Sequence, residues 1–393
     1  MRVLHITRDL APVVVGGIST AVAGMIRAAR RAGFECAAVS FDRWRPASSA
    51  HQPTAGPQPD PDHILRVRGL DDLAPAYDFA CRWQPQLLHV HHSTLWTWAA
   101  GLQRHLGVPV VKTIHVLQAV LDEQRGVSEP TRTRQQQEQA LAEADRVLAP
   151  SRACAEDLLR RYPAVRDRLR VTPLGIDPSP AADAAVAARR ISLPPPQVLH
   201  VGRFDAIKGT DLLLEMIPRV LEREPSARFV IAGGVPANAR SERRWHRQWQ
   251  AMATPAARAR CELTGWLSPL EREALAGRSA LLVAPSRYET FGLAVLEAMQ
   301  FGLPVIATAT GALSELVNHD TGRPVPAGNA AALTDAVVEL LQAPRHARTL
   351  GLAGAEKVRN RHLWIHTIQA LTEVYREVTD EAVQKAPSGG SRR

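Results

Sequence analysis

Cysteine and lysine are scarce in this 393-residue sequence, and long apolar runs are missing. The four cysteines lie far apart, so their spacing matches neither a zinc site nor a disulfide framework and indicates a reducing compartment. No stretch approaches the ~20 apolar residues of a membrane span, and the N-terminus reaches Asp9 before a signal-peptide core can form. These absences predict a cytoplasmic protein.

Three widespread nucleotide-binding and catalytic motifs are missing as well. The chain contains no Gly-x4-Gly-Lys-Ser/Thr, no Gly-x-Gly-x-x-Gly and no Gly-x-Ser-x-Gly. The first two form the phosphate loops of P-loop NTPases and of classical dinucleotide-binding proteins, and the third positions a serine nucleophile. Their absence argues against all three classes.

Basic residues outnumber acidic ones by 48 to 39, which gives a formal net charge of +9. Such an excess is compatible with a nucleic-acid or anionic-membrane partner. However, no recognition helix or aromatic platform of a nucleic-acid-binding module is visible, so we expect no nucleic-acid partner. Arginine forms most of the basic background, and a lysine in a loop is the rarer event. The four lysines are Lys112, Lys208, Lys357 and Lys385.

Short β-branched segments alternate with amphipathic helical patterns, which is typical of doubly wound α/β sheets. A segment rich in proline and alanine, 179–196, separates two such series and is predicted to be a linker. We predict an N-terminal domain over 1–178, completed by a helix over 363–385, and a C-terminal domain over 197–362. Both should be Rossmann-like and face a central cleft, where open α/β sheets bind ligands. The predicted strands are 3–7, 36–41, 87–91, 108–114, 146–149, 198–201, 228–232, 281–284 and 305–307.

The densest polar signal is the segment 285–299, PSRYETFGLAVLEAM. A loop holds Glu289, and a helix that carries Glu297 is predicted to begin at about Phe291. Backbone N–H groups at a helix start bind phosphate, and Gly292 permits close approach of the ligand. Carboxylates beside such a site would bind hydroxyl groups. The competing interpretation is a capped helix with two solvated glutamates.

A second segment, GRFDAIKG, joins a predicted strand to a helix and places Arg203 and Lys208 at the carboxyl end of that strand. A planar guanidinium and a compact ammonium together suit a diphosphate. Because lysine is rare in this chain, Lys208 is the more informative of the two. Two solvated loop charges are the alternative interpretation.

Several histidines follow predicted strands in the N-terminal half. His115 ends the strand over 108–114, from which its ring would reach a ligand, and a structural histidine is the alternative. His89, His91 and His92 suggest a metal. However, His92 faces away from the other two on an extended strand, and we expect no carboxylate or cysteine ligand nearby. We therefore predict no metal site.

Taken together, these segments resemble the retaining glycosyltransferases of family 4, which have the GT-B fold. The resemblance runs in the expected order from Met1 to about Val378. Two positions depart from it: Leu174 stands where the family often has asparagine, and Val116 where it often has aspartate. The residues that carry the resemblance are Gly16-Gly17, Thr113-Ile-His115, Gly202-Arg203-x4-Lys208-Gly209 and Glu289-x-Phe-Gly-x4-Glu297.

The resemblance implies transfer of a sugar from a nucleoside-diphosphate donor, a UDP- or GDP-sugar, to an acceptor hydroxyl. It further implies retention of configuration with no metal or other cofactor. Arg203 and Lys208 would bind the diphosphate and stabilise the leaving group, His115 would contact the donor sugar, and Glu289 would bind its hydroxyls. The remaining donor-binding residues implied are Gly17, Trp266, Leu267, Phe291, Gly292, Leu293 and Glu297, the last for the ribose.

The acceptor stays open between a small molecule, a glycan and a lipid-linked molecule. Trp96, Trp98 and residues 117–135 are expected on the acceptor side. The arginine-rich stretches 25–31 and 240–260 are candidate contacts with an anionic membrane, for a protein at its inner face. The alternative is a solvated arginine face with its tryptophans packed inward. A nucleotide-sugar epimerase or another GT-B enzyme is the rival enzyme class, and a basic nucleic-acid-binding protein the non-enzyme alternative.

Overall fold

The computed structural model describes residues 1–10, 16–41, 63–67, 73–233 and 239–385. They form two compact units. Unit 1 comprises Met1–Gly175 together with the chain from Trp364 onward, and unit 2 comprises Ile176–Leu363. The proline-rich segment 45–62, which includes Asp60 and Asp62, lies outside the described residues.

Unit 1 contains one fully parallel sheet with helices between its strands. Its strands are β1 (Arg2–Thr7), β2 (Glu35–Ser40), β3 (Ile64–Arg66), β4 (Leu87–Val90), β5 (Val110–Thr113), β6 (Arg146–Ala149) and β7 (Leu169–Val171). Its helices are α1 (Gly17–Arg31), α2 (Ala74–Trp83), α3 (Trp96–Leu106), α4 (Gln118–Gln124), α5 (Arg132–Glu143), α6 (Arg152–Arg161) and, from the end of the chain, α16 (Trp364–Lys385). The strand order is β3-β2-β1-β4-β5-β6-β7.

Unit 2 repeats this plan. Its strands are β8 (Gln197–Val201), β9 (Arg228–Ala232), β10 (Cys261–Gly265), β11 (Leu281–Ala284), β12 (Val305–Thr308) and β13 (Gly322–Val325). Its helices are α7 (Pro180–Ile191), α8 (Thr210–Arg223), α9 (Ala239–Met252), α10 (Pro255–Arg260), α11 (Pro269–Arg278), α12 (Leu293–Gln300), α13 (Leu313–Leu316), α14 (Ala330–Gln342) and α15 (Pro344–Arg361). The parallel order β10-β9-β8-β11-β12-β13 places the first strand of the unit in the middle, as in unit 1 and in Rossmann folds.

The nine predicted strands are the nine interior strands of the two sheets. The four strands that the sequence analysis missed, β3, β7, β10 and β13, are the four sheet edges. An interior parallel strand is covered on both faces and reads as a continuous apolar run. The edge strands are partly exposed and mix polar with apolar residues, as in ILR and GRPV, so they lack that run.

The segment 179–196, predicted to be a linker, is mostly helical. Ser179 caps α7, its side chain accepting a hydrogen bond from the Ala182 N–H, and the alanine-rich sequence favours a helix after Pro180. Buried Arg189 donates to the carbonyls of Phe301 (2.8 Å), Ala276 (2.9 Å) and Ser279 (2.7 Å). The α7 helix is therefore part of unit 2, and only the residues after it are irregular.

Helix α16 packs into unit 1 along its length. A Cβ on Gly24 of α1 would lie 2.4 Å from Nε1 of Trp364, so only glycine leaves room for that indole. Further along α16, Tyr375 is fully buried, and Arg146 of β6 forms a 2.9 Å ion pair with Glu377. No helix in the described part of the chain is both long and apolar enough to cross a membrane.

Candidate functional site

In unit 2, the lysine and the glutamate singled out from the sequence lie in direct contact. Lys208 follows β8, Glu289 follows β11, and these two strands are neighbours in the sheet. The Nζ atom of Lys208 lies 2.5 Å from Oε2 of Glu289, and the two side chains are 23% and 18% exposed. A partly exposed ion pair at the carboxyl ends of adjacent parallel strands lies where such sheets bind ligands.

Backbone contacts hold the two loops together. The Asp205 carboxylate accepts a 2.9 Å hydrogen bond from the Lys208 N–H and caps the short turn Ala206–Lys208. Gly209 follows with a φ of 72°, and a Cβ there would lie 2.2 Å from the carbonyl oxygen of Pro285. Glycine is therefore required at this position for both its backbone conformation and its close approach.

A second tie between these loops comes from Arg287, which the sequence analysis did not single out. Its guanidinium donates to both carboxylate oxygens of Asp211 at 2.7 and 2.6 Å, and its backbone N–H donates to the Ile207 carbonyl at 2.7 Å. Bidentate pairs of this kind set geometry as well as energy. Arg287 therefore fixes the loop of Glu289 against the loop of Lys208.

Arg203 has a looser placement. Its side chain is 47% exposed, and its nearest charged partner is Asp205, 3.2 Å away. It therefore flanks the Lys208–Glu289 pair through the carboxylate that caps the lysine turn.

The predicted helix start at Phe291 is two residues too early. Helix α12 begins at Leu293, and Gly292 is its N-cap with a φ of 96°, a left-handed conformation that favours glycine. Phe291 is buried before it. The first helical turn, with Leu293 and Ala294, contains N–H groups that have no acceptor inside the helix. A Cβ on Gly292 would lie 3.7 Å from Cγ of Glu289, so this helix end adjoins the ion pair.

Glu297, one turn further along α12, has a partner that the sequence did not reveal. Arg272 of α11 lies 3.6 Å from the Glu297 carboxylate and donates a 3.2 Å hydrogen bond to the carbonyl of Leu267. Trp266 and Leu267 are both partly exposed in the turn between β10 and α11. Arg272 thus joins two of the predicted donor-binding positions, but it is one arginine among many and follows no motif.

The other predicted site residues belong to unit 1. Gly17 is the exposed first residue of α1. His115, two residues beyond β5, is buried, and its Nε2 lies 3.0 Å from Nδ1 of His91. Burial, followed by the nearby charges of Lys112 and His92, lowers the pKa of His115 well below its usual value. The ring is therefore neutral at physiological pH.

His115 is part of a larger histidine cluster in unit 1. His5 of β1 and His91 are in contact, with 3.0 Å between Nδ1 of His5 and Nε2 of His91. His89 is bonded on both nitrogens, to the hydroxyls of Tyr375 (2.6 Å) and Thr113 (2.7 Å). The sequence analysis missed His5, because its neighbours in the chain are those of an ordinary buried strand.

Three of these rings satisfy a distance criterion for metal binding. His5, His89 and His91 each bring a ring nitrogen within 4.8 Å of the others. Both His89 nitrogens, however, already bond to hydroxyl groups, and the His5–His91 contact is a hydrogen bond. The predicted lack of a nearby carboxylate is wrong for His92, whose Nε2 lies 3.8 Å from Asp9.

Family models match both units. A Glycosyltransferase Family 4 model matches residues 15–180, and a Glycosyl transferases group 1 model matches residues 195–343. A D-inositol 3-phosphate glycosyltransferase of Xylanimonas cellulosilytica is 30% identical over 93% of this chain and 92% of its own. The chain belongs to glycosyltransferase family 4. A relative of the same name from Segniliparus rotundus is 31% identical over 75% of this chain and 66% of its own length.

The fold of this family 4 glycosyltransferase is also that of solved GT-B structures. Anabaena HepE in complex with UDP-glucose superposes with a TM-score of 0.74 over 96% of this chain and 100% of its own, at 18% identity. At that identity the likeness concerns the fold, and it confirms the prediction of two Rossmann-like domains of the GT-B class.

Four tryptophans expected near ligands or lipids are buried in this glycosyltransferase. Trp96 and Trp98, expected on the acceptor side, are 0% and 6% exposed within unit 1. Trp245 and Trp249 of α9 are 8% and 2% exposed and belong to the core of unit 2. The exposed residues of that stretch include Arg243, Arg244 and Arg247. This arrangement matches the solvated arginine face with inward-packed tryptophans.

Proposed function

We propose that this glycosyltransferase moves a sugar from a nucleoside-diphosphate donor to an acceptor hydroxyl, with retention of configuration and without a metal ion. The observation that carries this proposal is the Lys208–Glu289 ion pair beside the first turn of α12. A lysine and a helix N-terminus supply positive charge for a diphosphate, and a glutamate accepts hydrogen bonds from sugar hydroxyls.

In this proposal the donor separates the ion pair. Lys208 exchanges its contact with Glu289 for a phosphate oxygen, and the glutamate then accepts hydrogen bonds from the sugar. As the bond between the anomeric carbon and the phosphate oxygen breaks, negative charge develops on the diphosphate. Lys208 and the N–H groups of Leu293 and Ala294 stabilise that charge, which is the role a metal ion has in other transferases.

Retention follows in this scheme if the acceptor attacks from the face that the leaving group vacates. The acceptor oxygen forms its bond to the anomeric carbon on that face, and the departing phosphate oxygen takes the acceptor proton. His115 and Arg203 are assigned to the donor sugar and the diphosphate, and Gly17 to close approach of α1 to the diphosphate, as the family resemblance implies.

The nucleoside is assigned to the other side of the site. Glu297 accepts hydrogen bonds from the ribose hydroxyls, and Trp266 and Leu267 contact the base. Arg272 supports both by holding the Leu267 carbonyl and the Glu297 carboxylate. Because the HepE structure contains UDP-glucose, UDP-sugars are the first donors to test.

The acceptor proposal starts from the relatives' printed activity. Two relatives are named D-inositol 3-phosphate glycosyltransferases, so an inositol phosphate is the first acceptor to test. Glycan and lipid-linked acceptors, with anionic vesicles for the membrane contact, form the comparison set. Transfer to the inositol phosphate alone would identify a small-molecule acceptor. Co-sedimentation of the protein with vesicles at low salt would favour a lipid-linked acceptor.

The test begins with thermal shifts in UDP, GDP, ADP and dTDP, followed by transfer assays with sugars of the stabilising nucleotide. We expect one nucleotide to raise the melting temperature and its sugar to support transfer with the α-configuration kept. EDTA should leave the rate unchanged. Loss of transfer in EDTA with recovery in a divalent ion would contradict the lysine-based mechanism, and a product of opposite configuration would contradict retention.

A matched pair of variants tests the site itself. Glu289→Ala should abolish most of the transfer while the protein stays folded, because the carboxylate is partly exposed and binds the substrate. Glu215→Ala is the control, since in the described residues Glu215 forms one exposed ion pair, with Arg219 on the surface of α8. Near-normal turnover of Glu289→Ala would remove Glu289 from the site.

A further inference from the structure

Three histidines from neighbouring parts of the unit 1 sheet form a continuous hydrogen-bonded chain. His5 lies in β1, His91 follows β4, and His115 follows β5. The two links, His5 Nδ1 to His91 Nε2 and His91 Nδ1 to His115 Nε2, are both 3.0 Å long. The three residues are 0%, 2% and 8% exposed, so the chain is shielded from water.

The number of ring N–H hydrogens on these three histidines limits the directions that their hydrogen bonds can take. Burial lowers the pKa of His5 to about 3 and those of His91 and His115 well below their usual value, so all three rings are neutral. A neutral imidazole has one N–H donor and one bare acceptor nitrogen. His91 therefore donates in one link and accepts in the other, and both links must run in the same direction.

The His5 end of this histidine chain distinguishes the two possible directions of its hydrogen bonds. Nε2 of His5 is buried and has no hydrogen-bond partner among the described residues. If the links run from His5 towards His115, that nitrogen is a bare acceptor. If they run the other way, it carries a hydrogen with no acceptor. Buried N–H groups without a partner are the rarer case in proteins, which favours the first direction.

His200 in unit 2 provides an internal precedent. Its Nδ1 lies 3.0 Å from the carbonyl oxygen of Val283, which can only accept, so Nδ1 carries the hydrogen. Burial lowers the pKa of His200 to about 4, so the ring is neutral and its Nε2 is bare. Within the part of the chain that the structure describes, that Nε2 is also buried without a partner. The protein thus already contains the end state that the first direction requires of His5.

We propose that His5 and His91 are positioning residues that hold His115 in one tautomer, with its hydrogen on Nδ1 and its Nε2 accepting from His91. His115 then presents a donor at Nδ1 to whichever group that nitrogen faces. If that group belongs to the substrate, it must be a hydrogen-bond acceptor, such as a hydroxyl or phosphate oxygen. This step rests on the proposed function, because it concerns transfer only if His115 contacts the donor.

Nitrogen-15 NMR of the full-length protein with labelled histidine tests the tautomer directly. We expect His115 to show a pyrrole-type signal for Nδ1 and a pyridine-type signal for Nε2, with assignment from a His115→Gln sample. The opposite pattern would overturn the proposal. This measurement requires no substrate, so it determines the His115 tautomer even if the protein transfers no sugar. The transfer assay tests the proposed function separately.

Variants at His5 separate positioning from simple packing. His5→Leu removes the first donor of the chain, and we expect mixed His115 tautomers and a kcat about 10-fold lower, with the donor KM changed less than about 2-fold. His5→Asn restores a side-chain N–H near the Nδ1 position and should recover both the tautomer and kcat. If His5→Leu folds and retains the single tautomer and the kcat, His5 has no positioning role. If the asparagine variant loses kcat as severely as the leucine variant, the N–H donor at residue 5 is not responsible for the effect.

Discussion

Unit 1 and unit 2 have sheets of the same order, but they place opposite kinds of groups near the carboxyl ends of their central strands. In unit 1 these groups are histidines, buried and neutral. In unit 2 they are a lysine and a glutamate, partly exposed and paired. Protonating a neutral buried group costs folding free energy, whereas a partly exposed charge can exchange its partner for a charged ligand. Under the proposed function, unit 1 would position neutral groups and unit 2 would neutralise charge.

The largest expected difference is in acid. Burial lowers the pKa of five histidines in unit 1 (His5, His89, His91, His92 and His115) and of two in unit 2 (His200 and His362). Between the unfolded pKa of about 6.5 and the lower folded pKa, the unfolded chain binds more protons, so stability falls as the pH falls. At pH 5 each such group should cost about 2 kcal/mol, and unit 1 should open first.

Hydrogen exchange between pH 7.5 and pH 5, corrected for intrinsic rates, measures this loss for each unit. Protection of β1, β4 and β5 should fall well before that of β8 and β11. Equal loss in the two units would show that the buried histidines do not distinguish them.

The next effect concerns the charge of unit 2. Lys208→Ala should lower the transfer rate by about 10²- to 10³-fold, the range seen when a group that stabilises developing negative charge is removed. The free energy of unfolding should change little, because the ion pair is partly exposed. Single-turnover rates and urea unfolding measure the two quantities. Arg219→Ala, an exposed charge on α8, is the control, and a rate close to normal in Lys208→Ala would refute the assignment.

A smaller effect compares a buried lysine with a half-buried one, each of which donates to two backbone carbonyls. Lys112 in unit 1 is fully buried and donates to the carbonyls of His91 (2.9 Å) and Thr113 (2.6 Å). Lys112→Met should lower the free energy of unfolding by about 1–3 kcal/mol, because both carbonyls stay buried. Burial also lowers the pKa of Lys112 to about 7, so this unit should gain stability as the pH rises from 7 towards 10.5.

Lys357 of unit 2 is the matched control for this variant. It also donates to two carbonyls, those of Glu315 (2.8 Å) and Leu316 (2.7 Å), but it is only half-buried. Water can replace its donor, so Lys357→Met should cost less than about 1 kcal/mol. Urea unfolding of both variants compares them. A Lys357 variant that loses more than the Lys112 variant would contradict the role of burial.

The smallest expected effect concerns Arg272, which acts through Leu267 and Glu297. Arg272→Gln should raise the donor KM by about 3- to 10-fold, which corresponds to about 1 kcal/mol of binding free energy. The kcat should stay nearly unchanged, because the lost contact stabilises the bound donor and the transition state equally. Initial rates over a range of donor concentrations measure it. Arg278→Gln, an exposed residue on the same helix, is the control. A fall in kcat at constant KM would place Arg272 nearer to the reacting centre.

The local signals in the chain predicted the interior of both sheets and the residues of the charged site. Parallel strands that are covered on both faces have continuous apolar sequences, which are easy to recognise. A lysine or a glutamate in a glycine-containing loop is also easy to recognise in a chain whose basic residues are mostly arginines. The edge strands were missed because they are partly exposed and mix polar with apolar residues. The α7 helix was missed because proline at both ends of 179–196 outweighed the alanine between them. His5 and Arg272 were missed because nothing in their sequence surroundings distinguishes them.

Family membership, the two-domain α/β class and the candidate donor residues were determined by the sequence itself, because each depends on patterns within a few neighbouring residues. Tertiary structure decided which of those residues meet. Lys208 and Glu289 are 81 positions apart, and His5 and His91 are 86 apart. Such pairs form only when parallel strands bring their carboxyl ends together, and the order of strands in a sheet is not a local property of the chain.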